Sequence, residues 1–136
     1  MKKLRNLHIL IAEDDFDDGE VILESFKKHP LFLKVEILRN GKQLLDYLND
    51  ETKSKPDLIL TDLNMPIING LEVLKEICHH PEFKKITTFA YSTSSNPVYQ
   101  AKCIDFGAKA FLTKPTEISE FDEIPQKIIQ VVLQNL

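Results

Sequence analysis

Five short apolar runs, each followed by a stretch in which apolar residues recur at helical spacing, constrain this chain more than any other feature of its sequence. The runs cover residues 7–12, 34–38, 57–61, 86–91 and 109–113, and the helical stretches lie near 15–28, 40–49, 70–79, 96–106 and 122–134. Strands separated by helices cannot pair as hairpins, so the alternation predicts an α/β fold with a parallel sheet and helices on both faces. The first helix places Phe16, Ile22, Leu23 and Phe26 at helical spacing. The last does the same with Phe121, Ile124, Ile128, Ile129, Val132, Leu133 and Leu136, so both read as amphipathic. Pro125 is tolerated only in a first turn, which starts the last helix near Asp122 to Ile124 with Ser119 or Asp122 as cap. Gly107 reads as the end of the fourth helix. A chain of 136 residues that is 43% hydrophobic buries one core, so a single domain is expected over 1–136.

Composition excludes several classes. The net charge of −4 comes without a Lys and Arg cluster, which argues against a nucleic-acid partner. No stretch approaches the roughly 20 apolar residues needed to cross a bilayer, and the N-terminal segment does not read as a signal peptide. No membrane association is expected, and the location is read as cytoplasmic. Cys78 and Cys103 lack CxxC spacing and read as buried reduced thiols. Gly19, Gly41, Gly70 and Gly107 form no nucleotide-binding loop. His79 and His80 precede Pro81 at a helix end, where solvent exposure is the simpler reading.

Chemistry collects where strands end. Asp62 closes the apolar run 57–61, Glu13-Asp14-Asp15 follows the first run, Ser92-Thr93 the fourth and Lys114-Pro115 the fifth. Open parallel sheets place their sites at the carboxyl ends of strands, so these residues converge on one edge. Glu13, Asp14 and Asp62 brought together repel one another unless a cation sits between them, and an all-oxygen donor set suits Mg²⁺. Such an ion offsets the charge of an incoming phosphoryl group, which Asp62 is placed to accept as nucleophile. The Lys114 ammonium and the Ser92 hydroxyl are donors suited to phosphoryl oxygens. Taken singly, each residue has a plainer reading, and Asp14 or Asp15 could simply cap the first helix.

The set Glu13-Asp14-Asp15, Asp62 with Met65-Pro66 and Gly70, Ser92-Thr93, and Gly107 through Lys114-Pro115 resembles the receiver domains of two-component response regulators, in the right order and over essentially the whole chain. The resemblance implies a (βα)5 flavodoxin-like sheet and phosphorylation of Asp62 by a histidine kinase or a histidine phosphotransfer protein. It implies Mg²⁺ held by Glu13, Asp14, Asp62 and the Asn64 backbone carbonyl, Ser92 with Thr93 as the switch position, Phe111 as the switch aromatic, Lys114 as the phosphate-binding lysine, and a cis Lys114–Pro115 bond. Phe111 has no hydroxyl, so burial is its only signal. Asn64 and Ser94 occupy positions that tune self-dephosphorylation. The chain resembles stand-alone receivers with no output domain. It is expected to be a monomer or a phosphorylation-linked homodimer acting on an unidentified downstream protein through helix 4, strand 5 and helix 5.

Two other classes remain open on the sequence. A haloacid-dehalogenase-like phosphohydrolase would also use an aspartyl phosphate, but Asp62-Leu63-Asn64 lacks the second carboxylate that acts as acid and base there. A docking module without phosphorylation would tolerate Asp62→Asn. The receiver reading expects Asp62→Asn or Lys114→Ala to abolish the phosphorylation-linked change in a domain that still folds.

Overall fold

The structure is a computed structural model, and it describes residues 4–65, 68–94 and 96–135. The five expected strands are β1 (Leu7–Ala12), β2 (Phe32–Leu38), β3 (Leu58–Asp62), β4 (Thr87–Ser92) and β5 (Ala110–Thr113). The helices between and after them are α1 (Phe16–Lys28), α2 (Gly41–Asn49), α3 (Gly70–His79), α4 (Pro97–Asp105) and α5 (Glu123–Gln134). All strand pairs are parallel, in the order β2-β1-β3-β4-β5, which is the flavodoxin-like arrangement. Two 3-10 turns, Phe83–Lys85 and Ile118–Asp122, precede β4 and α5.

The two faces of the sheet follow from the period of two along each strand. Leu7, Ile9 and Ile11 of β1, with Leu58, Leu60, Phe89 and Tyr91, pack under Ile22 and Phe26 of α1 and Ile124, Ile128 and Val132 of α5. Leu10, Ala12 and Ile59 face the other way, against Leu44 and Leu48 of α2 and Val73 and Ile77 of α3. Leu63, Leu74, Ala90, Cys103 and Ala108 continue that second layer beneath α4. Every residue of β1 is buried, so its six apolar or weakly polar side chains anchor both layers. Each large aliphatic side chain fully withdrawn from water contributes about 1.5–3 kcal/mol before chain entropy is subtracted.

Several local expectations change in the fold. Phe16 opens α1 but is 66% exposed and lies under the Arg39 guanidinium, 5.0 Å from its ring centre. Leu133 is half exposed, and Pro66 and Leu136 lie outside the described residues. Asp122 stands at the start of α5 without capping it, because its carboxylate is spent on α1: it accepts from Ser25 Oγ at 2.7 Å and pairs with Lys28 at 3.4 Å. Gly107 does end α4, with φ at +112° and Cys78 Sγ where a Cβ would stand. Both cysteines are free thiols; Cys103 is buried and Cys78 half-buried. The Nδ1 of His79 lies 2.8 Å from the Lys75 carbonyl, and His80 stacks on Phe83. Among the described residues no helix is long and apolar enough to cross a membrane.

Candidate functional site

The carboxyl ends of β1, β3, β4 and β5 deliver Glu13, Asp62, Ser92 and Lys114 to one cleft. Its centre is the Lys114 ammonium, 2.7 Å from Glu13 Oε1, 2.8 Å from Asp18 Oδ2 and 3.3 Å from Asp62 Oδ2. Glu13 is fully buried, Asp62 is 4% exposed and Lys114 8% exposed. A buried ammonium among carboxylates is tolerable only because each charge has a partner.

Three adjacent acids have separate roles. Asp15 is the N-cap of α1, its carboxylate accepting from the Asp18 backbone N–H at 2.9 Å. Glu13 turns inward; its Oε1 receives Lys114 and the Tyr91 hydroxyl at 2.5 Å, and its Oε2 receives the Asp15 N–H at 3.1 Å. Asp14 is left exposed to solvent beside them. Glu13, Asp14 and Asp62 can each present a carboxylate oxygen with all three atoms within 4.8 Å of one another.

The electrostatics fit a divalent cation. Burial pushes the Asp62 carboxyl up to about 6; the Asn64 backbone N–H, donating to Asp62 Oδ1 at 3.0 Å, opposes this and the Glu13 charge adds to it. Asp14 is raised as well, by the partial desolvation it meets at the rim of the cleft, with the charge of Glu13 adding to it. Burial would raise Glu13 as well, but hydrogen bonds from Lys114 and Tyr91 outweigh it and hold the carboxyl below its usual range. Burial disfavours the Lys114 ammonium, yet Asp18 and Glu13 more than compensate and its affinity for the proton rises. The donor set is all oxygen, two of its acids still repel a negative charge nearby, and one is open to water. Those are the requirements of a hard cation that keeps part of its hydration shell.

The remaining predicted residues lie around this centre. Ser92 is fully buried, and its Oγ accepts from Asn64 Nδ2 at 3.3 Å and from the Ser94 N–H at 3.1 Å. The Lys114 backbone N–H donates to the Ser92 carbonyl at 2.8 Å, tying β5 to β4 beyond the strand ends. Thr93 is exposed. Phe111 is half-buried, beside Ala90 in the strand register and against the cluster of Leu63, Leu74, Ala90 and Cys103. The expected cis Lys114–Pro115 bond is not found: no peptide bond among the described residues is cis. The trans form is intrinsically favoured by about 0.5–1 kcal/mol, and the contacts of Lys114 are all made with it.

Two residues of the site escaped the sequence. Asp18 reads as an ordinary acid in the first turn of a helix, and only the folded chain brings its carboxylate to 2.8 Å from the Lys114 ammonium. Tyr91 reads as core, and its ring is core; the signal was its hydroxyl, which inside a buried strand needs a partner.

A five-stranded parallel sheet with an acidic cluster at its carboxyl edge defines a flavodoxin-like α/β protein whose site lies outside the strand ends. The chain belongs to the response regulator receiver domain family, whose model matches residues 9–126, and is thereby a receiver of two-component signalling. It is 31% identical over 124 residues to the response regulator Rcp1 of Synechocystis, covering 88% of this chain and 84% of Rcp1. It superimposes on the Mn²⁺-bound form of Rcp1 with a TM-score of 0.84, over 96% of each chain at 29% identity. On the phosphorylated cyanobacterial phytochrome response regulator RcpA the TM-score is 0.87, over 96% of each chain at 31% identity. A protein-glutamate methylesterase/protein-glutamine glutaminase of Desulfotalea psychrophila is 29% identical over 114 residues. The match covers 84% of this chain but only 30% of that protein, so the receiver unit also occurs joined to enzymes.

Proposed function

We propose that this receiver accepts a phosphoryl group on Asp62 from a histidine kinase or histidine phosphotransfer protein, and that the modified site alters the surface of α4, β5 and α5 to change the affinity for a downstream protein. The observation that carries this reading is the Lys114 ammonium held 3.3 Å from Asp62 inside a buried acidic cleft. Mg²⁺, held by Glu13, Asp14, Asp62 and the Asn64 carbonyl, would supply charge neutralisation between acceptor and incoming phosphoryl oxygens.

The residues of the chain account for the rest. With its carboxyl at about 6, Asp62 is ionised at neutral pH and one oxygen attacks phosphorus while the donor's nitrogen–phosphorus bond breaks. Lys114 turns from Glu13, Asp18 and Asp62 toward a phosphoryl oxygen. The Ser92 hydroxyl leaves Asn64 and donates to another, and Phe111, already half-buried, follows into the space this opens. The two states are populated in the free protein and the phosphoryl group shifts their balance. Whether the phosphorylated form is a monomer or a homodimer is read out in the same samples by mass in solution.

The test is intact mass after incubation with Mg²⁺ and acetyl phosphate, for wild type and Asp62→Asn, with and without a chelator. A single phosphoryl addition that hydroxylamine removes, absent from Asp62→Asn and from chelated samples, supports the reading. Addition that survives Asp62→Asn, or steady turnover of small phosphoesters, overturns it.

A further inference from the structure

Tyr91 pairs in register with Asp62 across β3 and β4 and immediately precedes Ser92. Its ring is fully buried among Ile9, Leu60, Phe89 and Leu112, and its hydroxyl emerges from that core at the floor of the acidic cleft. The hydroxyl donates to Glu13 Oε1 at 2.5 Å, and Lys114 Nζ, 5.4 Å from the centre of the Tyr91 ring, donates to the same oxygen.

A carboxylate oxygen offers two lone pairs. Oε1 of Glu13 is therefore filled by Tyr91 and Lys114, whereas among the described residues Oε2 receives the Asp15 N–H alone and keeps one direction free. The arrangement fixes which oxygen of Glu13 faces a cation. It also has a weak point, since Lys114 is the group drawn away when a phosphoryl oxygen arrives. Once Lys114 turns, the phenol is what remains on Oε1. Without it Oε1 has no donor among the described residues, and the Asp15 N–H on Oε2 is left as the hydrogen bond that orients the carboxylate.

We propose that Tyr91 is a positioning residue for the cation site: its hydroxyl holds Glu13 oriented toward a divalent cation and keeps it there while Lys114 engages the phosphoryl group. The inference rests on the reading of Glu13, Asp14 and Asp62 as the cation-holding acceptor site. Groups that orient metal-binding side chains typically account for 10–100-fold in affinity. Tyr91→Phe removes one oxygen and keeps the packed ring.

The experiment measures Mn²⁺ affinity by calorimetry and by loss of the free-ion paramagnetic resonance signal, for wild type, Tyr91→Phe, Glu13→Gln, the double variant and Asp14→Asn, alongside thermal unfolding. Tyr91→Phe is expected to weaken Mn²⁺ binding about tenfold, and to have no further effect in the Glu13→Gln background. A purely structural role would lower the unfolding temperature and leave the affinity within twofold of wild type, and that result overturns the inference. So does an equal effect in both backgrounds. Wild type that binds no Mn²⁺, or binding that survives Asp14→Asn unchanged, overturns the site reading itself, a separate outcome. Should Tyr91→Phe fail to fold, the ¹³Cζ resonance of Tyr91 in wild type decides. It is expected to move with Mg²⁺ at the midpoint of metal binding, and a resonance that stays still overturns the proposal.

Discussion

Asn64 Nδ2 lies 3.3 Å from Ser92 Oγ, so the residue two past Asp62 holds the Ser92 hydroxyl in place across two strand ends. A single neutral hydrogen bond contributes about 0.5–1.5 kcal/mol net, and this one is long. Asn64→Ala removes it while the Ser94 N–H still reaches Ser92. Freed from Asn64, Ser92 is expected to turn toward a bound phosphoryl analogue more readily. Affinity for beryllofluoride in Mg²⁺ should rise about two- to fivefold, the equivalent of about 0.5–1 kcal/mol. Unchanged or weaker binding in a fluorescence titration would show that this contact does not restrain the switch.

The Asp62 carboxyl, raised from 3.8 to about 6, makes a signed prediction for the metal-free protein. Between these values the folded state binds the proton more tightly than the unfolded chain, so wild-type stability falls as pH rises from 3.8 to 6. Asp62→Asn has no such charge. In EDTA at pH 8 it should be the more stable protein by about 3 kcal/mol, with the gap closing as pH falls toward 4. Urea unfolding at pH 8, 6 and 4.5 measures it, and equal midpoints at pH 8 would refute it.

Lys114 compensates Glu13, Asp18 and Asp62 at once. Lys114→Met leaves the buried carboxylates facing one another and should cost about 3 kcal/mol of metal-free stability at pH 7.5. That is well short of the usual 5–15 kcal/mol total, so the domain still folds. Because a cation can replace part of the lost charge, Mg²⁺ should raise the denaturant midpoint of Lys114→Met more than that of wild type. An equal Mg²⁺ effect on both proteins would argue against a shared site for ammonium and metal.

Gly70 begins α3 directly against the end of β3. An added Cβ would stand 2.3 Å from the Asp62 carbonyl oxygen and 2.5 Å from Leu63 Cα, both backbone atoms that cannot rotate aside. Gly70→Ala is expected to cost about 1–3 kcal/mol, and by displacing Asp62 to slow acetyl phosphate labelling relative to wild type. A variant as stable and as reactive as wild type would mean the helix can shift without moving Asp62.

The sequence by itself determined the order of elements, the parallel sheet and the strand ends that carry Glu13, Asp62, Ser92 and Lys114. Apolar periodicity and a polar break after each buried run are local properties, and the chain writes them locally. Tertiary structure decided how neighbouring residues divide their work. Asp14 and Asp15 are equivalent as text; the position of α1 makes Asp15 a cap and leaves Asp14 open in the cleft. Asp122 matches a cap by pattern, but Ser25 and Lys28 across the α1 packing surface hold its carboxylate instead. Phe16 fits the apolar face by spacing and ends up exposed under Arg39. Asp18 and Tyr91 join the site only through contacts 96 and 78 residues away in sequence, with Lys114 and Glu13 respectively. The identity of a buried polar side chain is visible in a sequence, but its partner is not. Hydrogen-bond and charge compensation are satisfied between elements, and only the packed sheet brings those elements together.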